Sequence, residues 1–177
     1  MAYTILRFKK DKGGAIAGCE RHNERKKEAY RERDEIEEYF KSIQYKYPDK
    51  VKVFLEFNKD LSKKIYAGSD IFLMPSKSEP CGLAQMVALR YGTIPIVRET
   101  GGLKDTISDS GDGEGNGFTF ASYNAHDMLE AVWRALAGYS DAAGWNTLVL
   151  RAMNCDNSWK RSAGEYLKIY KELVKKA

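Results

Sequence analysis

An α/β fold, with about four parallel strands, flanking helices and a long charged helix ahead of them, is what the sequence predicts. Three observations carry it. Ile71-Phe-Leu-Met74 and Ile94-Pro-Ile-Val97 are short apolar runs of the kind that form strands buried on both faces. Between and after them, apolar residues recur at helical spacing, as in Leu83, Met86, Val87 and Tyr91. Strands alternating with helices of this length imply a parallel sheet with helices on its faces. The 177 residues, 43% hydrophobic and 12% aromatic, are enough for one ordinary domain with its own core.

Taken in order, residues 23–47 read as a long helix rich in Glu, Lys and Arg. It becomes amphipathic only from Ile36, through Tyr39, Phe40 and Ile43, and Pro48-Asp49 ends it. Residues 51–57, Val-Lys-Val-Phe-Leu-Glu-Phe, read as a short strand, and residues 59–66 as one or two helical turns. The strand at 71–74, a helix over 83–91 stopped by Gly92, and the strand at 94–97 follow. A glycine- and acid-rich loop at 111–117 leads into a brief strand, Phe118-Thr-Phe120. Residues 125–136 form an amphipathic helix through Met128, Leu129, Val132, Trp133 and Leu136, and residues 141–153 a second. The last helix starts after Ser158, a suitable N-cap, with Trp159, Ala163, Tyr166, Leu167, Tyr170 and Leu173 on one face. Trp133, Trp145 and Trp159 are expected to be core or helix-packing residues, and His126 a surface residue.

Composition excludes several classes. No stretch approaches the roughly 20 apolar residues of a membrane span, so no membrane partner is expected. The opening residues carry their basic groups after the apolar run and lack a small-residue cleavage pattern, so no signal peptide is read. Cys19, Cys81 and Cys155 are far apart with no CxxC pair, and His22 and His126 are isolated. No metal, disulfide framework or cofactor is therefore expected, and a reducing cytoplasm is the default compartment. The net charge of +4 is uneven: residues 1–34 hold ten Lys/Arg against six Asp/Glu, and the remaining nineteen of each sign cancel.

The stretch with chemical content is Phe72-Leu-Met-Pro-Ser-Lys-Ser-Glu-Pro-Cys-Gly-Leu-Ala84, read as strand, loop and start of helix. Ligands of parallel α/β sheets bind outside the carboxyl ends of the strands. The loop at 75–82 lies at such an end and opens a helix whose first N–H groups, near Cys81, Gly82 and Leu83, lack intrahelical partners. Such groups suit a phosphate or a sugar hydroxyl oxygen, and Gly82 lets a ligand come close to the backbone. Glu79 is placed to accept hydrogen bonds from sugar hydroxyls or to stabilise developing positive charge. On the residues alone, a plain connecting loop fits as well, and Thr100-Gly101-Gly102-Leu103 reads equally as a turn after a strand.

Residues 64–106, with Glu-Pro-Cys-Gly-Leu at 79–83 and Arg-Tyr-Gly-Thr-Ile-Pro-Ile-Val at 90–97, resemble the signature region of bacterial glycogen/starch synthases. Asn116-Gly-Phe118, Asn157-Ser-Trp159 and the Tyr-rich final helix match too, so that the resemblance covers residues 38–177. It implies half of a GT-B glycosyltransferase, a truncated Rossmann-like domain of a class that retains anomeric configuration. By the same resemblance Glu79 would hold the donor glucose and assist catalysis. The backbone of Cys81, Gly82 and Leu83 would contact sugar and diphosphate. Phe57 would stand where the family usually stacks a Tyr on adenine. ADP-glucose is the expected donor, with UDP-glucose left open, and the chemistry is metal-free glucosyl transfer to the end of an α-1,4-glucan.

The sequence also departs from that pattern. The family often has Thr where Ala84 stands. The first part of the donor domain, which supplies the Arg and Lys that neutralise the diphosphate, has no counterpart here, and neither does the acceptor domain. Catalysis by this chain alone is therefore not expected, and an α-glucan acceptor is expected only if a further domain is supplied. The docking surface of the final helix would be lost with that domain, which implies self-association through it or a remodelled helix. Residues 1–34 resemble instead the start of Pre/Mob plasmid mobilisation proteins, through His22-Asn23-Glu24-Arg25. The domain reading is thus residues 1–35 as a basic extension entering the long helix and 36–177 as the nucleotide-sugar-binding domain. A nucleic-acid-interacting fusion is the alternative function. The interleaved acids dilute any phosphate contact, so nucleic acid is not the expected partner.

Overall fold

The computed structural model describes residues 34–55 and 58–176. The described residues fall into two compact units, residues up to 59 in one and residues 60 onward in the other. In the smaller unit helix α1 runs over residues 34–46. The chain then turns, with the N–H of Val51 donating to the Tyr47 carbonyl at 2.9 Å.

Of the strand expected at 51–57, the described residues 51–55 form none, and residues 56 and 57 lie outside the described residues, Phe57 with them. A strand exists only through a ladder partner, and here the N–H of Val53 is taken by the Gln44 side-chain oxygen of α1 at 2.5 Å. The sheet has three strands rather than about four among the described residues. The charged start of the predicted long helix, residues 23–33, and the His22 and Cys19 readings also fall outside them.

The larger unit holds α2 (Lys59–Gly68) from its second residue and continues β1 (Ile71–Met74), α3 (Ala84–Tyr91), β2 (Ile94–Arg98), α4 (Gly102–Thr106) and β3 (Phe118–Phe120). Then come α5 (Ala125–Tyr139), α6 (Ala142–Met153) and α7 (Trp159–Lys176). The three strands are parallel in the order β1-β2-β3, with Ile71 opposite Ile94 and Ile96 opposite Phe118. All of β2 except Arg98 is buried, which explains why both its faces are apolar in the sequence.

A proline in that central strand, Pro95, is compatible with its ladder. The N–H of Ile94 donates towards β1, to the Asp70 carbonyl at 2.9 Å, so the next N–H would point towards β3. The ladder with β3 begins only at Ile96, and Gly117 packs against the Pro95 ring there, with no room for a side chain.

Ile71 and Phe72, adjacent on β1, enter different apolar clusters, as the period of two along a strand requires. Phe72 meets Tyr66 edge-on at 5.5 Å with Ala84 and Ala88 beside them. Ile71 joins Leu89, Ile94, Ile96, Leu103 and Trp145.

Local chemistry ends the elements where the sequence suggests. Gly92 caps α3 with φ 77°, a left-handed value open to glycine. The side chains of Asn124 and Asp141 accept the N–H groups of Asp127 and Ala143 to open α5 and α6. Of the three tryptophans, Trp145 is buried as expected, but Trp133 and Trp159 are exposed. The reason is visible in α5. It faces the sheet with Ala131 and Ala135, both at 0% exposure, because small residues let the helix come close, and this turns Leu129 and Trp133 outward.

Candidate functional site

The candidate residues gather at the carboxyl edge of the sheet, where the loop 75–83 after β1 lies against the turn 99–101 after β2. Two glycines make that approach possible. A side chain on Gly101 would land on the Glu79 carbonyl, and one on Gly102 would land on the Cys81 carbonyl. Gly101 also has φ 47° and ψ −136°, a region that side-chain-bearing residues avoid. The Gly-Gly pair therefore does more than turn the chain: it admits the neighbouring loop to backbone contact.

Three sets of hydrogen bonds fix the loop. Arg98, at the end of β2, donates through Nε to the Ser76 carbonyl at 2.9 Å and through Nη2 to the Lys77 carbonyl at 2.6 Å. Its guanidinium also lies 5.6 Å from the centre of the Tyr123 ring. The N–H of Gly102 donates to the Pro80 carbonyl at 3.3 Å. Finally Gln85, at 0% exposure, donates through Nε2 to the Gly82 carbonyl at 2.9 Å and to Thr106 Oγ1 at 3.0 Å. Thr106 in turn donates to the Gly102 carbonyl at 2.6 Å, so α3 and α4 share one polar chain beneath the loop.

These bonds orient the peptide groups. A trans peptide points its C=O and its N–H in opposite directions, and every peptide here is trans. The Pro80 carbonyl faces Gly102, so the N–H of Cys81 faces away from α4. The Gly82 carbonyl faces the buried Gln85 amide, so the N–H of Leu83 faces away from the core. Cys81 and Leu83 are exposed, Gly82 is buried with φ 69°, and the N–H groups of all three have no acceptor among the described residues. Glu79 is half-buried on the same loop, and its carboxylate has no hydrogen-bond or ion-pair partner among the described residues. Outward amides at the start of α3 beside a free carboxylate are a set of donors and acceptors for an anionic, hydroxyl-rich ligand.

Glu79, Cys81, Gly82 and Leu83 thus come together on one loop, whereas Phe57 falls outside the described residues. Arg98, Gln85, Thr106 and the Gly101-Gly102 pair support them without having been singled out as a unit from the sequence. The available signal was Gln85, a polar residue among the buried positions Ala84, Ala88 and Leu89 of α3.

A second polar cluster sits next to β3. Asp109 accepts from Arg134 Nη1 at 2.7 Å and from the N–H of Thr119 at 2.7 Å, while Arg134 Nη2 donates to the Thr119 carbonyl at 2.6 Å. Burial alone would raise the Asp109 pKa. The hydrogen bonds from Arg134, Thr119 and Gly111 outweigh it and hold the carboxyl below its ordinary value. These partners close on one another, so the cluster serves to dock α5 on the sheet. Among the described residues no helix is long and apolar enough to cross a membrane.

Comparison with known proteins bears on the family and the fold. The family model of glycosyl transferases group 1 matches residues 15–146, more than half of the chain. That match starts at residue 15, inside the segment expected to resemble Pre/Mob proteins, and the comparisons do not show that resemblance. The glycogen synthase of Bacillus anthracis is 56% identical over 142 residues, 79% of this chain and 30% of that protein. The glycogen synthase of Geobacillus thermodenitrificans is 54% identical over 143 residues, 80% of this chain and 30% of that protein. The chain thus spans about 30% of the length of the curated relatives it matches.

Among solved structures, the catalytic domain of starch synthase IV from Arabidopsis thaliana bound to ADP and acarbose superposes with a TM-score of 0.68 at 40% identity. The match covers 78% of this chain and 30% of that one. Sucrose-phosphate synthase from Thermosynechococcus elongatus gives 0.58 at 25% identity, over 82% of this chain and 35% of that one. The three-stranded parallel sheet with flanking helices corresponds to the GT-B architecture of these enzymes. The chain belongs to the glycosyl transferases group 1 family and matches part of a glycogen synthase.

Proposed function

We propose that the chain binds a nucleoside-diphosphate glucose, ADP-glucose foremost, at the loop 79–83. The observation that carries this is the orientation of the Cys81 and Leu83 amides, which face out of the protein beside the free carboxylate of Glu79. The amides and the positive end of α3 receive the diphosphate, and Glu79 accepts hydrogen bonds from the glucose hydroxyls. In the transfer itself Glu79 would stand by the positive charge that develops on the sugar as the bond to the diphosphate breaks. The solved starch synthase with ADP bound supports this choice of nucleotide. A base-stacking role for Phe57 rests on the family resemblance alone.

Binding rather than turnover is the activity proposed for the chain by itself. Relief of the diphosphate charge needs cationic side chains facing the amides, and the described loop offers none that is uncommitted beyond Lys77. Transfer to an α-glucan would require groups outside this chain. The alternative, a nucleic-acid-interacting fusion acting through residues 1–34, has no support in the comparisons. We further propose that α7 pairs with a second copy. Trp159, Tyr166 and Leu173 recur every seven residues on it, interleaved with Ala163 and Tyr170, all exposed, which is the seam of a two-helix coil.

The test is calorimetric titration of the purified chain with ADP-glucose, ADP and UDP-glucose, repeated on Glu79→Ala. Saturable binding of ADP-glucose that Glu79→Ala weakens, with ADP itself affected less, is the expected result. Absence of binding at millimolar ligand rules out a donor site in this chain, and a preference for UDP-glucose corrects the nucleotide.

A further inference from the structure

Gln85 has no place in the binding reading above, yet it is the most deeply buried polar residue near the loop, at 0% exposure. Its amide nitrogen is fully used, by the Gly82 carbonyl and the Thr106 hydroxyl. Its amide oxygen has no partner among the described residues, although it is buried. A buried orphan acceptor is costly, and leucine or methionine would fill the same volume without it. The amide must therefore earn its position by what the nitrogen does.

Turning the amide over would not relieve the orphan. The Gly82 carbonyl would then face an oxygen and lose its donor, and Thr106, which already donates to Gly102, would lose the group it accepts from. The arrangement is thus fixed by its neighbours. Gly82 is fitted to it in turn, since a Cβ there would come within 2.7 Å of the Gln85 oxygen.

We propose that Gln85 is the positioning residue of the donor-binding turn: by holding the Gly82 carbonyl inward it sets the 82–83 peptide so that the Leu83 N–H faces the ligand. It does not touch the ligand. Without this bond the peptide plane is free to rotate, because Gly82, with φ 69°, has no Cβ to restrict it. Thr106 extends the same control to α4, so the turns after β1 and β2 are set as one unit. The inference rests on the donor-binding reading for its ligand, while the peptide orientation is measurable without any ligand.

The experiment uses the full chain and two readouts, amide resonances of Gly82 and Leu83 by NMR and calorimetric affinity for ADP. Gln85→Leu is expected to shift both resonances, to speed exchange of the Leu83 amide hydrogen, and to weaken ADP binding about tenfold, the equivalent of one lost hydrogen bond. Gln85→Glu supplies a readout that a merely structural role would not move. Burial raises the pKa of the introduced carboxyl, and once protonated it can donate to Gly82. Its resonances and affinity should therefore return towards wild type as the pH is lowered from about 8 to about 5. Thr106→Val, which removes only the outer member of the chain, should shift the same resonances less, and it decides the matter if Gln85→Leu does not fold.

Unchanged Gly82 and Leu83 resonances in a folded Gln85→Leu overturn the proposal, as does wild-type ADP affinity in that variant. If the wild-type chain binds no ADP, the donor-binding reading fails by itself. The resonances then still decide whether Gln85 orients the peptide.

Discussion

Gly101 lies against the backbone of Glu79, so close that a Cβ on Gly101 would stand 2.2 Å from the Glu79 carbonyl oxygen. The backbone that carries the candidate carboxylate thus packs on a glycine from a different strand's loop. Gly101→Ala meets two obstacles, the collision and a φ of 47° that alanine avoids. The variant should lose about 1–3 kcal/mol of stability in urea unfolding and also lose donor binding. Gly113, at φ 85° with open space around it, is the control. Gly113→Ala should be milder and leave ligand binding intact.

Arg98 holds the loop through the carbonyls of Ser76 and Lys77. Arg98→Lys should not restore what Arg98→Ala removes, because an ammonium cannot reproduce two directed bonds from one planar fork. Both variants should raise hydrogen exchange at the amides of 76–79 and weaken ADP binding, with a stability loss of about 1–2 kcal/mol. Equal protection in wild type and Arg98→Ala would remove Arg98 from the account of the site.

The Asp109–Arg134 pair makes stability depend on acid. The folded-state pKa of Asp109 lies below its unfolded value, near 3.8, so the ionised form is the one that folding favours. Its contribution is fully present above that unfolded value and is lost as the pH falls through the lower folded value. Asp109→Asn should be less stable than wild type at neutral pH, and the gap should narrow on acidification below about pH 4. Urea midpoints at several pH values check this, and a gap that is constant with pH would show that the carboxylate charge is not what α5 is docked on.

The exposed stripe on α7 predicts concentration-dependent assembly. Light scattering should show dimers at high protein concentration, and Tyr170→Lys with Leu173→Lys should return the chain to monomer without altering ADP affinity. A wild-type chain that stays monomeric throughout would exclude pairing through this helix.

What the sequence determined was whatever depends on neighbours along the chain. The strands at 71–74 and 94–97 were legible because burial leaves only apolar residues in a short run, and the one at 118–120 because two aromatic residues flank a β-branched threonine after a glycine-rich loop. The ends of α3, α5 and α6 were legible because a left-handed glycine and side-chain caps act within three or four residues. The motif around Glu79 was legible as a strand-to-helix loop, and the family followed from it.

Only the tertiary structure decided what depends on residues distant in sequence. Residues 51–55 have strand-like alternation but no ladder partner among the described residues, and alternation cannot supply one. On α5 the buried face belongs to Ala131 and Ala135 rather than to Trp133, because close packing on the sheet favours small side chains over large ones. The direction of the Leu83 amide depends on Gln85, and the seat of Glu79 on Gly101, two residues that are ordinary in the sequence. Local periodicity records which residues avoid water; the direction in which a peptide group points is set by the partner that its carbonyl finds across the fold.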